Sequence, residues 1–238
     1  MNKILCTGAP RSGTSMFNLL MSYFKELSVY QDGTPPRLFE QCDVFTTQQR
    51  PDGKLWNDFI SPTSLYQALE AGIKVIVIYR DGRDCLISSR KGHYGYWYGP
   101  ELEHVEKWFN SVEELINTQK QVKDTELEKL LHVVRYESLV ENPSVVMADV
   151  EKFVASPLDK TYTEFYKDYS NTRNMATEVA VGSEHSTLRP LESNSLNWKK
   201  EKHDARMKEI INAYGDRFGE LLIALGYESD KEWLNDYR

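Results

Sequence analysis

Residues 4–16 read Ile4-Leu5-Cys6-Thr7-Gly8-Ala9-Pro10-Arg11-Ser12-Gly13-Thr14-Ser15-Met16, and this stretch decides the fold. Its apolar start predicts a buried strand over residues 3–7 that breaks at Gly8, with a helix starting near Gly13. The turn between the two glycines has the length at which backbone N–H groups surround an anion, with the helix N-terminus directed at it. The stretch therefore predicts a strand, an anion-binding turn and a helix, in that order.

The spacing of this turn is almost that of a nucleotide-binding phosphate loop, Gly-x-x-x-x-Gly-Lys-[Ser/Thr]. One position differs, because Thr14 stands where that loop has its lysine, and Arg11 is the turn's only basic side chain. A kinase or ATPase uses the lysine on the transferred phosphate, together with a magnesium ion held by a carboxylate. The turn is therefore suited to a phosphate and poorly suited to ATP chemistry.

The composition is that of an ordinary globular protein, with 238 residues of which 40% are apolar and 27% charged. We interpret the chain as a single domain, residues 1–238. The net charge of −7 argues against nucleic-acid binding, which requires a basic face. No signal peptide is visible, and no apolar run reaches the ~20 residues that cross a bilayer. Because Cys6, Cys42 and Cys85 lack metal-ligand spacing, we interpret them as free thiols and expect a cytoplasmic protein.

Apolar periodicity predicts strands that alternate with helices along the chain. Strands are predicted at 28–30, 73–79 and 130–134, with a weaker one at 55–60. Helices are predicted at 14–26, 61–69, 102–122, 143–154 and about 203–225. A further helix is predicted to follow the run at 79–84 and continue through residue 89, and another to run from residue 154 to about 169. Residues 170–197 are polar and lack clear periodicity, which indicates a functional loop or lid. The alternation predicts an α/β fold in three layers, a mostly parallel sheet with helices on both faces.

Three predicted strands end in polar residues, and in a parallel sheet such ends share one crevice. These ends are the turn that contains Arg11, the residue Arg80, and the pair Arg135-Tyr136. After Arg80, Asp84 and Ser88 are spaced i, i+4 on the predicted helix and so face the same way. Arg80 and this hydroxyl would bind a second anionic group, separate from the one in the turn. The alternative for Arg80 is a structural ion pair with Asp84.

Four stretches, in order along residues 4–227, together resemble the sulfotransferases. Residues 8–15 look like the 5′-phosphosulfate-binding loop of that family, and residues 78–84 followed by Ser88 look like its 3′-phosphate-binding segment. Residues 134–143 are similar to the family's Arg-Tyr-Glu-x-Leu-x-x-x-Pro element, and the tail after residue 188 resembles its closing region. The loop arginine and the Arg-Asp-Gly-Arg run come closest to tyrosylprotein sulfotransferases and their bacterial relatives.

The resemblance implies a P-loop, nucleotide-kinase-like sulfotransferase fold and the donor 3′-phosphoadenosine 5′-phosphosulfate (PAPS; its product is PAP). It also implies transfer without a metal ion, since arginine charge takes the place of magnesium. Loop amides and the hydroxyls after Gly13 would hold the 5′-phosphate, while the Arg80 segment would hold the 3′-phosphate. The residues implied to bind the donor are Arg11, Ser12, Gly13, Thr14, Ser15, Arg80, Ser88, Tyr136 (at the adenine) and Arg189 (closing over the 3′-phosphate).

The sequence offers one candidate for the group that stabilises the leaving phosphate and three candidates for the base. Arg11 is our candidate for stabilising the leaving phosphate, where many relatives use lysine; arginine does not give up its proton, so the role is electrostatic. The base that deprotonates the acceptor hydroxyl is predicted to follow the second strand, where Asp32 and Glu40 are the candidates. His93 is the third candidate. Relatives often carry a second lysine before a proline in the third strand; it is absent here, and Lys54 is the possible substitute.

The acceptor stays open: a sugar, a small alcohol or phenol, a lipid and a peptide tyrosine all carry the required hydroxyl. The aromatic run at residues 94–100 is a candidate lining for its site, and packing of a surface loop explains that run equally well. Two rival functions also stay open, a P-loop kinase that uses ATP and a non-catalytic protein that binds adenosine bisphosphate. The sequence does not indicate the oligomeric state.

Overall fold

The computed structural model describes residues 3–30, 43–46, 64–88, 105–164 and 196–237. A five-stranded sheet forms its centre, in the order β2-β3-β1-β4-β5, and every neighbouring pair is parallel. The strands are β1 Ile4–Thr7, β2 Val29–Tyr30, β3 Val44–Thr46, β4 Lys74–Tyr79 and β5 Leu131–Arg135. Within the described residues the helices are α1 Thr14–Met21, α2 Leu65–Glu70, α3 Gly82–Leu86, α4 Glu106–Val122, α5 Tyr136–Glu141, α6 Pro143–Val154 and α7 Asp204–Ala224.

Side chains alternate along the central strands and divide the core into two. Leu5 and Val75 belong to a cluster with residues of α2, α3, α4 and α7. Their neighbours Ile4 and Ile76 belong to a second cluster with residues of α1, α5 and α6. Both faces of the sheet are therefore covered, as the uninterrupted apolar run of β4 requires. The predicted three-layer α/β fold is confirmed.

The order of the strands sets where a ligand site lies. The helix after β1 packs on one face of the sheet, and the helices after β4 pack on the opposite face. From β1 the chain continues to the β2 side of the sheet, and from β4 it continues to β5. The carboxyl ends of β1 and β4 thus flank a topological switch point, the usual ligand crevice of such sheets. The turn at residues 8–13 and the segment at residues 80–88 both begin there.

Helix α1 ends at Met21, although the periodicity predicts a helix to residue 26. The chain instead pairs with a distant segment: Phe24 forms an antiparallel bridge with Leu158. On either side of it, the Lys25 N–H donates to the Pro157 carbonyl at 3.0 Å, and the Asp159 N–H donates to the Tyr23 carbonyl at 2.9 Å. Tertiary hydrogen bonds therefore replace the last turn that helical periodicity alone would predict.

Other elements differ from the prediction in length or were missed. Helix α3 has five residues and ends at Leu86, so Ser88 lies beyond it and not on it. Strand β3 and helix α5 were not predicted. The predicted helix beyond residue 154 is, in its described part, a 3-10 turn at Lys160–Glu164. The predicted strand at residues 55–60 lies outside the described residues, as does all but the end of the predicted lid.

The structure describes two of the three cysteines and the helices that were considered as membrane spans. Cys6 and Cys85 are free, buried thiols, and burial raises the pKa of each well above the ordinary value. Cys42 lies outside the described residues. Of the helices in the described ranges, none is both long and apolar enough to span a bilayer.

Candidate active site

The turn after β1 packs directly onto the neighbouring elements. A Cβ atom on Gly8 would lie 2.2 Å from the carbonyl oxygen of Ile78, and one on Gly13 would lie 2.7 Å from the ring of Tyr136. Gly13 also has a φ of 103°, in the left-handed region that favours glycine. Larger residues at either position would push the turn away from β4 and α5.

Ser12 and Arg11 complete the shape of the turn. Ser12 donates to the Ala9 carbonyl through its hydroxyl at 2.7 Å and through its backbone N–H at 3.1 Å, so both of its donors are engaged within the turn. Arg11 adopts a φ of 70°, which is uncommon for a residue with a side chain. The turn is thus held in one conformation by its own hydrogen bonds and by packing.

Helix α1 starts at the mouth of this turn with its positive end uncompensated. It has no side-chain cap and no acidic residue in its first turn. The N–H of Phe17 bonds to the Gly13 carbonyl at 2.9 Å, so the preceding N–H groups have no intrahelical acceptor. Of the two hydroxyl residues that begin the helix, Thr14 is buried and Ser15 is exposed. Such a helix start favours an anion.

The turn and the segment after β4 are joined by hydrogen bonds across the crevice. The Nε of Arg11 donates to the hydroxyl of Ser88 at 2.9 Å. The Nη1 of Arg80 donates to the carbonyl oxygen of Arg11 at 3.4 Å. Two arginines that are 69 residues apart in sequence thus lie in one cluster at the switch point.

The guanidinium of Arg80 is packed between a ring and a carboxylate. Its Cζ lies 4.5 Å from the ring centroid of Tyr136, and its Nη2 lies 3.9 Å from Oδ2 of Asp84. Burial opposes its charge, but its neighbours, among them the carboxylates of Asp84 and Glu137, outweigh burial and raise the pKa of Arg80. The distance to Asp84 is at the limit of an ion pair. Tyr136, predicted to contact an adenine, is buried and has Arg80 on one face of its ring.

Asp84 makes its shorter contacts elsewhere. Its carboxylate accepts the N–H of Leu196 at 2.9 Å and the N–H of Trp198 at 3.2 Å. Burial raises the pKa of Asp84 to about 6, although the charge of Arg80 and the two backbone N–H groups oppose the rise. Asp84 therefore serves the segment at residues 196–198 more directly than it neutralises Arg80.

A hydrogen-bonded network behind the crevice was missed by sequence reasoning. Glu137 accepts the N–H of Asp81 at 3.2 Å and the hydroxyl of Tyr227 at 2.6 Å. The Arg135 guanidinium stacks 4.2 Å from the Tyr227 ring centroid. Burial and the charge of Glu137 raise the pKa of Tyr227, which keeps its hydroxyl a donor. Glu137 and Tyr227 both stand in quoted motifs, so their motif membership was the signal for this network.

The contacts of Arg83 were also not predicted from the sequence. Its guanidinium is buried and paired with carboxylates. Its Nε and Nη2 donate to both oxygens of Asp81 at 2.7–3.1 Å, and its Nη1 pairs with Glu228. The guanidinium lies 4.2 Å from the ring centroid of Trp198 and 4.8 Å from that of Trp233. This cluster ties the carboxyl-terminal segment to the start of α3.

Several predicted site residues fall outside the described ranges. These are Asp32, Glu40, His93, Lys54 and Arg189, so the base, the substitute cation and the closing arginine stay predictions. Among the described residues, no group of three or more His, Cys, Asp or Glu side chains is arranged to hold a metal ion.

Comparisons with known proteins identify the family and the fold of this chain. A family model described as "Sulfotransferase domain" matches residues 1–220. The chain belongs to the sulfotransferase family. No curated protein matches this sulfotransferase. The closer likeness to tyrosylprotein sulfotransferases stays a prediction.

Solved structures share the fold of this sulfotransferase at low sequence identity. The sulfotransferase domain from the curacin biosynthetic pathway is 14% identical with a TM-score of 0.53, covering 95% of this chain and 98% of its own. The sulfotransferase domain of the Synechococcus PCC 7002 olefin synthase is 12% identical with a TM-score of 0.54, covering 84% and 88%. Mouse sulfotransferase SULT7A1, complexed with PAP, is 12% identical with a TM-score of 0.51, covering 100% and 89%.

Proposed function

We propose that this sulfotransferase moves a sulfuryl group from PAPS to a hydroxyl acceptor by in-line displacement, without a metal ion. The observation that carries the proposal is the junction of Arg11, Ser88 and Arg80 at the switch point. A donor with anionic groups on both its 5′ and 3′ sides needs cationic and hydroxyl groups from two segments. At this junction the turn at residues 8–13 and the segment at residues 80–88 meet in one crevice.

The residues present fit both anionic ends of that donor. At the 5′ end, the uncapped start of α1 offers N–H groups, and no acidic residue in its first turn repels a phosphate. At the 3′ end, Arg80 and Ser88 offer a charge and a hydroxyl. The mouse neighbour was solved in complex with PAP, the desulfonated form of the same donor, and its likeness to this chain is one of fold.

When bound, the donor supplies the sulfuryl group together with a phosphate leaving group. Arg11 holds a fixed positive charge where negative charge develops on that phosphate, and its hydrogen bond to Ser88 orients the side chain before reaction. Because arginine keeps its proton at neutral pH, Arg11 acts through its charge alone. Arg11 would therefore stabilise the leaving phosphate without giving it a proton.

The second anion lies with Arg80 in this proposal. Stacking on Tyr136 holds the guanidinium in place, so little side-chain freedom is lost when a 3′-phosphate binds. Since Arg80 covers one face of Tyr136, an adenine contact by Tyr136 would use the rest of the phenol. Arg189 is proposed to close over the same phosphate.

The acceptor side rests on residues outside the described ranges. We propose that Asp32 or Glu40 takes the proton of the acceptor hydroxyl, with His93 as the third candidate and Lys54 as the second cation. A sugar, a small alcohol or phenol, a lipid and a peptide tyrosine stay open as acceptors.

Thermal shift and transfer assays test the proposal together. We expect PAP to raise the melting temperature more than Mg-ATP does, and labelled sulfate to move from PAPS to a member of a mixed acceptor pool. Stabilisation by Mg-ATP alone would indicate the kinase. Binding of PAP with no transfer to any acceptor would indicate the non-catalytic protein.

Arg11 has a variant test of its own. Arg11→Ala should lower turnover by about 100-fold or more, the usual cost of removing one preorganised electrostatic group. PAP affinity should fall far less, because the helix start and Arg80 still bind the nucleotide. Arg11→Lys keeps the charge and serves as the matched control. Equal losses of turnover and affinity in Arg11→Ala would refute the assignment.

A further inference from the structure

The Asp84 carboxylate lies between the Arg80 guanidinium and residues 196–198, and it contacts both. Its Oδ2 accepts the Leu196 N–H at 2.9 Å, and its Oδ1 accepts the Trp198 N–H at 3.2 Å. The same Oδ2 lies 3.9 Å from Nη2 of Arg80. The side chain of Asp84 is fully buried, so these contacts are made away from solvent.

The two backbone contacts are those of a helix cap supplied from a distant element. Residues Asn197–Lys199 form a short 3-10 turn whose preceding residue, Leu196, has a left-handed φ of 61° and gives no side-chain cap. The Asp84 carboxylate satisfies the N–H groups at the start of this turn instead. Trp198 in turn packs against Arg83, whose guanidinium carbon lies 4.2 Å from the centroid of the Trp198 ring. The position of the turn is therefore set from Asp84.

We infer that Asp84 is a positioning residue that holds Arg80 and the turn at residues 196–199 in one arrangement, and thereby sets the preference for a nucleotide with a 3′-phosphate over one without it. The inference rests on the proposed function, since it assigns Arg80 to the 3′-phosphate. It adds a residue to which the sequence analysis gave only the role of an ion-pair partner.

The ionised form of Asp84 is destabilised by its burial. Burial raises the pKa of Asp84 to about 6; Arg80 opposes that rise, and Asp81 adds to it. On the other side, Lys199 lies 5.2 Å from the Trp198 ring centroid. A carboxyl group with a raised pKa makes folding less favourable once it ionises, as it does at neutral pH. Ionisation therefore lowers stability at this position, and the two backbone N–H groups and Arg80 reduce that loss.

The Asp84 carboxylate could also weaken binding, because a negative charge beside Arg80 repels an anionic ligand. If repulsion were the main effect, removal of the charge would tighten PAP binding. The distances favour positioning, since both backbone N–H groups lie closer to the carboxylate than Arg80 does. Hydrogen bonds from those groups stabilise the negative charge and leave less of it to act on Arg80.

The test compares binding of PAP and of AMP, which lacks the 3′-phosphate, by calorimetry at pH 7.5. We expect Asp84→Asn to lower the preference for PAP over AMP by about tenfold, the worth of one hydrogen bond to a charged group. AMP affinity should stay within about twofold, since the α1 end of the site is intact. An unchanged preference, or tighter PAP binding, would overturn the inference.

Glu228→Gln is the matched control. It weakens the pairing of Arg83, which also contacts Trp198, without touching Arg80. We expect a lower melting temperature with the PAP preference unchanged; a preference lost in both variants would reduce Asp84 to a general structural role. A wild-type protein with no preference for PAP would refute the proposed function itself, before any variant is compared.

A measurement on the wild-type protein covers the case in which Asp84→Asn does not fold. Hydrogen exchange at the Leu196 and Trp198 amides should slow more with saturating PAP than with saturating AMP. The reason is that a 3′-phosphate on Arg80 fixes the carboxylate to which both amides donate. Equal protection by the two nucleotides would contradict the coupling.

Discussion

Arg80 and Arg83 stand three residues apart in one segment, yet their surroundings differ in kind. Arg83 is paired with both oxygens of Asp81 and with Glu228, and two tryptophan rings flank it. Arg80 lies 3.9 Å from Asp84, whose carboxylate is engaged by two backbone N–H groups. Asp84 thus neutralises Arg80 far less than Asp81 and Glu228 neutralise Arg83. Carboxylate geometry therefore distinguishes Arg83, which is fully paired, from Arg80, which we propose binds an anion.

The largest effect is expected from Arg83→Met. Removal of the Arg83 guanidinium leaves the carboxylates of Asp81 and Glu228 without their partner. The free energy of unfolding should therefore fall by about 3–5 kcal/mol. Denaturant unfolding measures it. Arg217→Met is the control, because Arg217 pairs with Glu113 at 2.7 Å with both side chains over a third exposed, and such pairs contribute roughly 1 kcal/mol or less. Similar losses in the two variants would contradict the structural role of Arg83.

Arg80→Met should show the reverse pattern. PAP affinity should fall by about 100-fold, since a hydrogen-bonded charge pair contributes on the order of 1.5–3 kcal/mol. Stability should fall by only about 1 kcal/mol, because the substitution removes the stacking on Tyr136 and a long, 3.4 Å hydrogen bond to the Arg11 carbonyl. The Asp84 carboxylate keeps both of its backbone N–H donors. Calorimetric titration and denaturant unfolding on one sample separate the two quantities. A loss of stability as large as that of Arg83→Met would make Arg80 structural.

Asp84→Asn tests the charge state of the carboxyl beside Arg80 through the pH dependence of stability. With a pKa raised from 3.8 to about 6, the carboxyl contributes stability that is fully present below about 3.8 and is lost as pH rises through about 6. Between pH 4 and 7 the wild type should therefore lose about 2 kcal/mol relative to Asp84→Asn, at 1.36 kcal/mol per pKa unit. Unfolding curves of both proteins across this range measure it. A constant difference would show that Asp84 has an ordinary pKa.

The smallest effect is expected from Tyr227→Phe, which removes the hydroxyl that donates to Glu137 at 2.6 Å. Unfolding free energy should fall by about 1–2 kcal/mol, because Glu137 then has one donor fewer. The affinity for PAP should change little, since Glu137 still accepts the Asp81 N–H. A large loss of PAP affinity would place the Tyr227 network within the site that binds the nucleotide.

The sequence predicted the parts of the fold whose signals are local. β1 and β4 are uninterrupted apolar runs, and a parallel sheet requires such runs at its centre. β3 has three residues and becomes a strand through its pairing with β1, which no local pattern carries. α1 was predicted too long because its end is decided by pairing with residues near Leu158.

The same division applies to the site. The glycine spacing of the turn and the arginine after β4 are local patterns, and both led to the junction of Arg11 and Arg80. The contact between Glu137 and Tyr227 joins residues 90 apart, and that between Asp84 and Leu196 joins residues 112 apart. Contacts over such separations depend on how helices pack on the sheet, so residue types alone did not reveal them.

The left-handed backbone at Arg11 carries a consequence of its own. A residue with a Cβ in that region costs roughly 1–2 kcal/mol relative to its relaxed conformation, a cost that glycine does not incur. The chain therefore carries local strain at the position where its loop charge sits. In this conformation the Arg11 Nε already donates to the Ser88 hydroxyl at 2.9 Å, so the folded chain holds the guanidinium oriented before a substrate arrives.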